Sequence, residues 1–105
     1  QPNGAPALFL LTATGKIMCK LRLVGEDESQ LVLTDHRGKT RLALAVGSDG
    51  APHVVLSDQD QRPRVQATVS PRGAPGMLFI DNDGNMPTGL GIHANNKPWI
   101  LPEPK

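Results

Sequence analysis

A 17-residue phrase recurs four times in this chain at a fixed period of 23 residues. The copies span residues 7–23, 30–46, 53–69 and 76–92, and six-residue connectors such as GSDGAP and SPRGAP separate them. Self-similarity at a fixed period is the sequence signature of a repeat architecture. The repeat therefore constrains the fold more than any other feature, and we treat residues 1–105 as a single repeat domain.

Each copy has the pattern of a β-hairpin. In the second copy, an apolar run at 31–33 is followed by a polar turn at 35–39 and then by alternating apolar residues up to Val46. Asp35 opens a type I turn and Gly38 stands where a positive φ is required, which is typical of a hairpin with a bulged turn. Two copies depart from this turn pattern, with Thr12 at the Asp position and Gln61 at the Gly position. The four copies predict eight short strands.

The connectors predict how the hairpins are joined. Three of them end in Gly-Ala-Pro, which supplies a turn and then a proline that suits the first residue of a strand. Residues 99–101 follow Pro98 at the same phase and predict the opening strand of a truncated fifth unit. The fold class is therefore all-β, a continuous antiparallel meander of hairpins. The repeat leaves open whether the hairpins form a closed barrel or prism, a sandwich or a stacked array.

The two strands of each copy differ in their hydrophobic pattern. The second strand alternates, whereas the first is apolar at consecutive positions, which is typical of a strand covered on both faces. Pairing Asp35 with Lys39 and counting back places Val32 opposite Leu42, whereas a two-residue loop would exchange the two faces. This register predicts a main core that includes Phe9, Val32, Val55 and Leu78, and a second apolar surface formed by Leu10, Leu33, Leu56 and Phe79.

The sequence offers few candidates for metal chemistry. Asp81, Asp83 and Asn85 place oxygen side chains at alternate positions, as at the start of a calcium loop. The equivalent turns carry cations instead, and no downstream glutamate completes a ligand set, so we predict a plain turn without metal. The three histidines share no spacing that would predict a zinc site. The only cysteine, Cys19, aligns with apolar residues of other copies and predicts an inert thiol.

The sequence also argues against catalysis and several classes of partner. No nucleophile elbow, phosphate loop or dinucleotide fingerprint is present, so we predict a non-enzyme without cofactors. Eleven basic and ten acidic residues give a net charge of +1, which does not favour nucleic acid. No apolar run approaches the roughly 20 residues of a membrane span. Basic residues at the hairpin tips alternate with acidic ones, which predicts local ion pairing and gives no support to an anionic glycan ligand.

The pattern LxLxDxxGxxRxxLxV with a following GxP, as in residues 31–46 and 50–52, resembles tandem hairpin repeats of uncharacterised bacterial proteins. The resemblance covers nearly the whole chain. It implies a bacterial structural repeat and brings no activity or site residue with it. The fourth copy departs from the pattern at Pro87, Gly89 and Gly91, which predicts a terminal or contact-making unit.

These observations favour a non-catalytic structural or accessory module that assembles with itself or docks into a larger complex. The alternative is a ligand-binding module, for example for glycans, that uses the hairpin tips or connectors. Because the chain begins at Gln1, we expect a processed chain or a segment of a longer protein, and we favour an extracytoplasmic or cell-envelope location. The candidate interface residues are Leu10, Leu33, Leu56, Phe79 and Trp99.

Overall fold

The computed structural model describes residues 6–102 and shows an all-β protein. Nine strands follow one another in a single antiparallel sheet, in chain order from β1 to β9. This confirms the predicted meander of four hairpins and the extra strand of a fifth unit. The strands are β1 (Ala7–Leu11), β2 (Ile17–Val24), β3 (Glu28–Thr34), β4 (Thr40–Val46), β5 (Pro52–Ser57), β6 (Pro63–Val69), β7 (Pro75–Phe79), β8 (Thr88–Ile92) and β9 (Pro98–Leu101).

The sheet is open and one layer thick. Strand β1 pairs only with β2, strand β9 pairs only with β8, and every contact between strands joins sequence neighbours. The described residues measure 54 × 30 × 19 Å along their principal axes. Among them, Ala51 is the single apolar side chain that is buried, at 4 % exposure. The expected main core is therefore absent from the part of the chain that the structure describes, because no second layer covers the sheet.

The hairpin tips and most of the connectors share one turn geometry. At the tip of the second hairpin, the Asp35 N–H donates to the Lys39 carbonyl and the Gly38 N–H donates to the Asp35 carbonyl, both at 2.9 Å. The same two bonds recur at the other three tips and at three connectors. Gln61, at φ 64°, adopts the left-handed conformation that glycine adopts elsewhere, and the Thr12 hydroxyl accepts the N–H bond that an aspartate accepts in other copies. The two departures in sequence therefore leave the turn intact.

The register differs from the one that the sequence predicted. The bond between Asp35 and Lys39 forms as expected, but a bulge follows it, so that Val32 lies opposite Ala43 and Leu33 lies opposite Leu42. Side chains alternate between faces along a strand. One extra residue in β4 therefore changes which residues of β3 and β4 share a face in all pairs beyond the bulge. The predicted division was therefore wrong. Leu10, Leu33, Leu56 and Phe79 share a face with the alternating leucines and valines, whereas Phe9, Val32, Val55 and Leu78 lie on the other face.

The fourth copy is specialised to receive an aromatic ring. Trp99 on β9 lies opposite Gly91, which in turn lies opposite Gly76. A Cβ atom on Gly91 would lie 2.6 Å from Trp99 Cζ2 and 2.5 Å from the Pro75 carbonyl oxygen. A Cβ atom on Gly89 would lie 3.3 Å from Trp99 Cζ3. The indole ring therefore occupies space that side chains would otherwise fill, and the contact at this unit is made within the chain.

We expect Gly91→Ala to displace the Trp99 ring, since the added methyl group cannot fit beneath it. Overpacking of this kind costs roughly 1 to 3 kcal/mol, so the melting temperature should fall. Trp99 is the only tryptophan, and its emission should shift to longer wavelength as the ring becomes more exposed. Ala43→Ser, a small change on the same face, is the control and should alter neither quantity. Wild-type emission and melting temperature in Gly91→Ala would contradict this packing.

Candidate interaction surface

One face of the sheet is lined by apolar side chains from every strand. Residues directly opposite each other on antiparallel strands share a face, so the register identifies its members. A middle row crosses all nine strands, with one flanking row on the tip side and another on the connector side. The middle row is Leu8, Leu21, Leu31, Leu44, Val54, Ala67, Met77, Leu90 and Ile100.

The flanking rows complete what we call the apolar face. Within residues 6–102 its three rows contain no charged side chain, and Ser29 and Thr88 provide its hydroxyl groups. The tip-side row is Leu10, Cys19, Leu33, Leu42, Leu56, Val65, Phe79 and Thr88, and the connector-side row is Pro6, Leu23, Ser29, Val46, Pro52, Val69, Pro75, Ile92 and Pro98.

Much of the apolar face is open to water. Leu8 is 59 % exposed, Leu90 is 53 % exposed and Phe79 is 37 % exposed. Nine strands about 4.8 Å apart, with about 15 Å of each strand covered by the three rows, give the face a projected area of roughly 650 Å². The largest apolar patch on a typical monomer is about 300 to 600 Å². The apolar face is continuous and slightly larger than this range, which makes it a candidate interaction surface.

Two depressions lie on the apolar face. The larger has a volume of about 440 Å³ and is lined by side chains that include Val54, Met77 and Leu90. It forms around Ala67, which is the smallest member of the middle row. The second has a volume of about 270 Å³ and lies beside Leu44. Both depressions are lined mainly by apolar side chains and open to solvent.

The opposite face is mixed in character. Lys20, Arg22, Gln66 and Thr68 lie on it among smaller and apolar residues, and Arg22 Nε donates to Gln30 Oε1 at 2.9 Å. Thr68 Oγ1 donates to a backbone carbonyl of the neighbouring strand. Polar side chains interact favourably with water, whereas exposure to water is unfavourable for the leucines and valines of the apolar face.

The Asp and Arg of the sequence pattern join neighbouring hairpins. Asp35 Oδ1 accepts the N–H groups of Arg37 and Lys39, which fixes the turn, and Asp35 Oδ2 lies 3.5 Å from Arg41. Arg41 is the extra residue of the bulge, and its Nε donates to the Ser57 carbonyl of the next hairpin at 2.8 Å. The bulge thus gives the arginine a position from which it contacts its own turn and the next unit.

The third hairpin repeats this arrangement. Arg64 lies 3.4 Å from Asp58 Oδ2, and its Nε donates to the Ile80 carbonyl at 2.8 Å. Arg62 also pairs with Asp58, at 3.2 Å, and with Asp60, at 3.4 Å. The local ion pairing predicted for the hairpin tips is therefore confirmed at these residues.

Two of the turn aspartates, Asp35 and Asp58, are held in their ionised form. The hydrogen bond from the Lys39 N–H has the largest effect on the pKa of Asp35. Together with the Arg37 N–H and the Arg41 side chain, it lowers this pKa below its ordinary value. At Asp58, burial raises the pKa, but the N–H of Arg62 and further donors outweigh it, so the pKa is again lowered. Each carboxylate is thus matched to donors from its own turn.

The calcium candidates occupy the same kind of turn. Asp81 Oδ1 accepts the N–H groups of Asp83 and Asn85, each at 2.9 Å, as Asp35 and Asp58 do for their turns. The side chains of Asp83 and Asn85 are exposed. Within residues 6–102, no three His, Cys, Asp or Glu side chains lie close enough together to hold a metal ion. Closing the turn accounts for the aspartate at position 81.

The structure brings four of the five interface candidates together. Leu10, Leu33, Leu56 and Phe79 lie in one row of the apolar face, whereas Trp99 lies on the opposite face against its glycines. The leucines of the second strands, such as Leu44, belong to the same surface, although the predicted register placed them on the other face. Matching apolar residues across the strands would have found this, because only a bulge at Arg41 keeps the charged side chain out of the leucine rows.

No protein-family model and no curated protein matches the sequence. The described residues include no helix with the length and apolar character that a bilayer crossing requires.

We expect the fold to lose stability in acid, with Asp58 as one contributor. A carboxyl whose pKa is lowered by folding stabilises the folded state above its ordinary pKa, and this contribution disappears as the pH falls through the lowered value. The melting temperature should therefore fall as the pH drops below about 4. Asp58→Asn should reduce this fall, whereas Asp83→Asn in the exposed fourth tip should leave it nearly unchanged. The same acid dependence in Asp58→Asn and wild type would contradict the assignment.

Proposed function

We propose that this chain is a non-catalytic structural module that docks onto a protein partner through its apolar face and so builds a larger assembly. The uncharged surface that crosses all nine strands carries this proposal. Full burial of a leucine or phenylalanine side chain contributes roughly 1.5 to 3 kcal/mol. Covering the face is therefore the largest favourable term that remains available to the folded sheet.

The architecture suits a scaffold that presents a surface. Each 23-residue copy adds two strands, which widens the face by roughly 10 Å. The turns and the bonds from Arg41 and Arg64 to the following hairpins fix neighbouring units relative to one another. A sheet built in this way presents its apolar side chains at a regular spacing, and the number of copies sets the size of the surface.

The site chemistry supports docking over catalysis or glycan binding. The polar side chains in the apolar face are hydroxyls and a thiol, and the turn aspartates are engaged with backbone N–H groups and arginines. Trp99 is half-buried against glycines of its own sheet, which explains its presence without a ligand.

Two matched substitutions on neighbouring residues test the docking role. Leu44 lies in the middle row of the apolar face, and Ala45 lies on the opposite face between Gln30 and His53. Leu44→Glu places a charge in the surface that a partner must cover, so an assembly should dissociate. If the chain is monomeric, Leu44→Glu should instead reduce binding of the apolar dye ANS. Ala45→Glu should change neither property.

The readouts are light-scattering mass, ANS fluorescence and far-UV circular dichroism. Both variants should keep the wild-type β spectrum, since the backbone ladder does not depend on either side chain. A monomeric wild type that binds no ANS would count against the proposal. Equal effects of the two substitutions would do so as well.

A further inference from the structure

We propose that the partner of the apolar face is another copy of this chain, packed face to face, an inference that rests on the docking role above. The first support is area. Two faces of roughly 650 Å² each bring about 1,300 Å² into contact, within the 1,200 to 2,000 Å² that specific, stable interfaces bury. A second copy supplies a surface of the same length and width, whereas a single helix about 10 Å across would leave part of the face uncovered.

The second support is charge. The apolar face carries no charged side chain among the described residues, and the whole chain has a net charge of +1, so two copies meet without appreciable repulsion. The opposite face carries charged side chains, including Lys20 and Arg22, and burying them in a symmetric pair built on that side would cost free energy. Self-association through a two-fold axis requires a surface that is complementary to itself, and the uncharged face meets the electrostatic part of this condition.

The third support is packing geometry. Two sheets pack about 10 Å apart when the side chains of their inner faces interdigitate. The large leucines of the middle row, such as Leu21, Leu31 and Leu44, project far enough to do this, and the depression around Ala67 provides space for a projecting side chain. Face-to-face packing would also supply the second layer that this single-layer sheet lacks.

Cys19 provides a direct probe of the proposed contact. It is the only cysteine, it is half-buried in the single chain, and it lies opposite Leu33 in the tip-side row. Covering the apolar face with a second copy should slow maleimide labelling of the Cys19 thiol at least about tenfold relative to the dissociated chain, which corresponds to about 1.4 kcal/mol of protection.

The experiment measures mass and thiol labelling of the wild-type chain over a dilution series. We expect a particle of two or more chains of 11.2 kDa with slow Cys19 labelling, which becomes fast on dilution and in Leu44→Glu. In the control, Cys19→Ser is combined with Ala45→Cys, which moves the thiol to the opposite face. Its labelling should be fast at every concentration. Because dilution of the wild type needs no substitution, the test holds even if Leu44→Glu fails to fold.

Different results would reject self-association alone or docking as well. An assembly in which Cys19 labels as fast as in the dilute chain would overturn face-to-face packing. A monomer that binds ANS through the apolar face would overturn self-association and leave docking to a different protein. A monomer that binds no ANS would overturn both.

Discussion

A one-residue bulge beside the hairpin tips determines the face on which the side chains of this sheet lie. The closing pair of each tip has the register of an unbroken hairpin, and the ladder beyond it is offset by one residue. Because of this offset, two apolar residues of each first strand, such as Leu31 and Leu33, share a face with the alternating apolar residues of the second strand. Without it, Leu33 would lie opposite Arg41, and Leu42 would lie opposite Val32 on the other face.

The bulge also explains why the second and third copies have an aspartate and an arginine six residues apart. Asp35 and Asp58 fix their turns through backbone N–H groups, and Arg41 and Arg64 occupy the bulge positions. From there each arginine contacts its own aspartate and the carbonyl of the next hairpin. The fourth copy has Pro87 at the bulge position and uses another contact, between Trp99 and the glycines of β7 and β8. Neighbouring units are thus joined by hydrogen bonds in the middle of the sheet and by an aromatic contact towards β9.

A single-layer sheet has backbone hydrogen bonds in abundance and little burial. Net hydrogen-bond contributions are about 1 kcal/mol each, and they must offset the entropy of ordering the chain. Hydrophobic burial normally provides the remaining stability, and here many of the apolar side chains that could be buried lie on one exposed face. The side chains that would form a core in a two-layer domain are therefore the same ones that would be available to a partner.

The sequence alone determined the secondary structure of this protein. Period, turn residues and hydrophobic alternation predicted the nine strands, their order and the closing bond of the turn at Asp35, since these depend on local backbone preferences. The sequence also identified Leu10, Leu33, Leu56 and Phe79 as one surface, because equivalent positions of a repeat have equivalent environments. Only the tertiary structure decided that Leu44 and its counterparts share that surface, that Trp99 lies away from it, and that the sheet is open. The shared surface depends on a one-residue offset between paired strands, and the position of Trp99 depends on the packing of its ring over glycines. Both involve contacts between residues that are distant in the sequence, and the repeat pattern does not reveal such contacts.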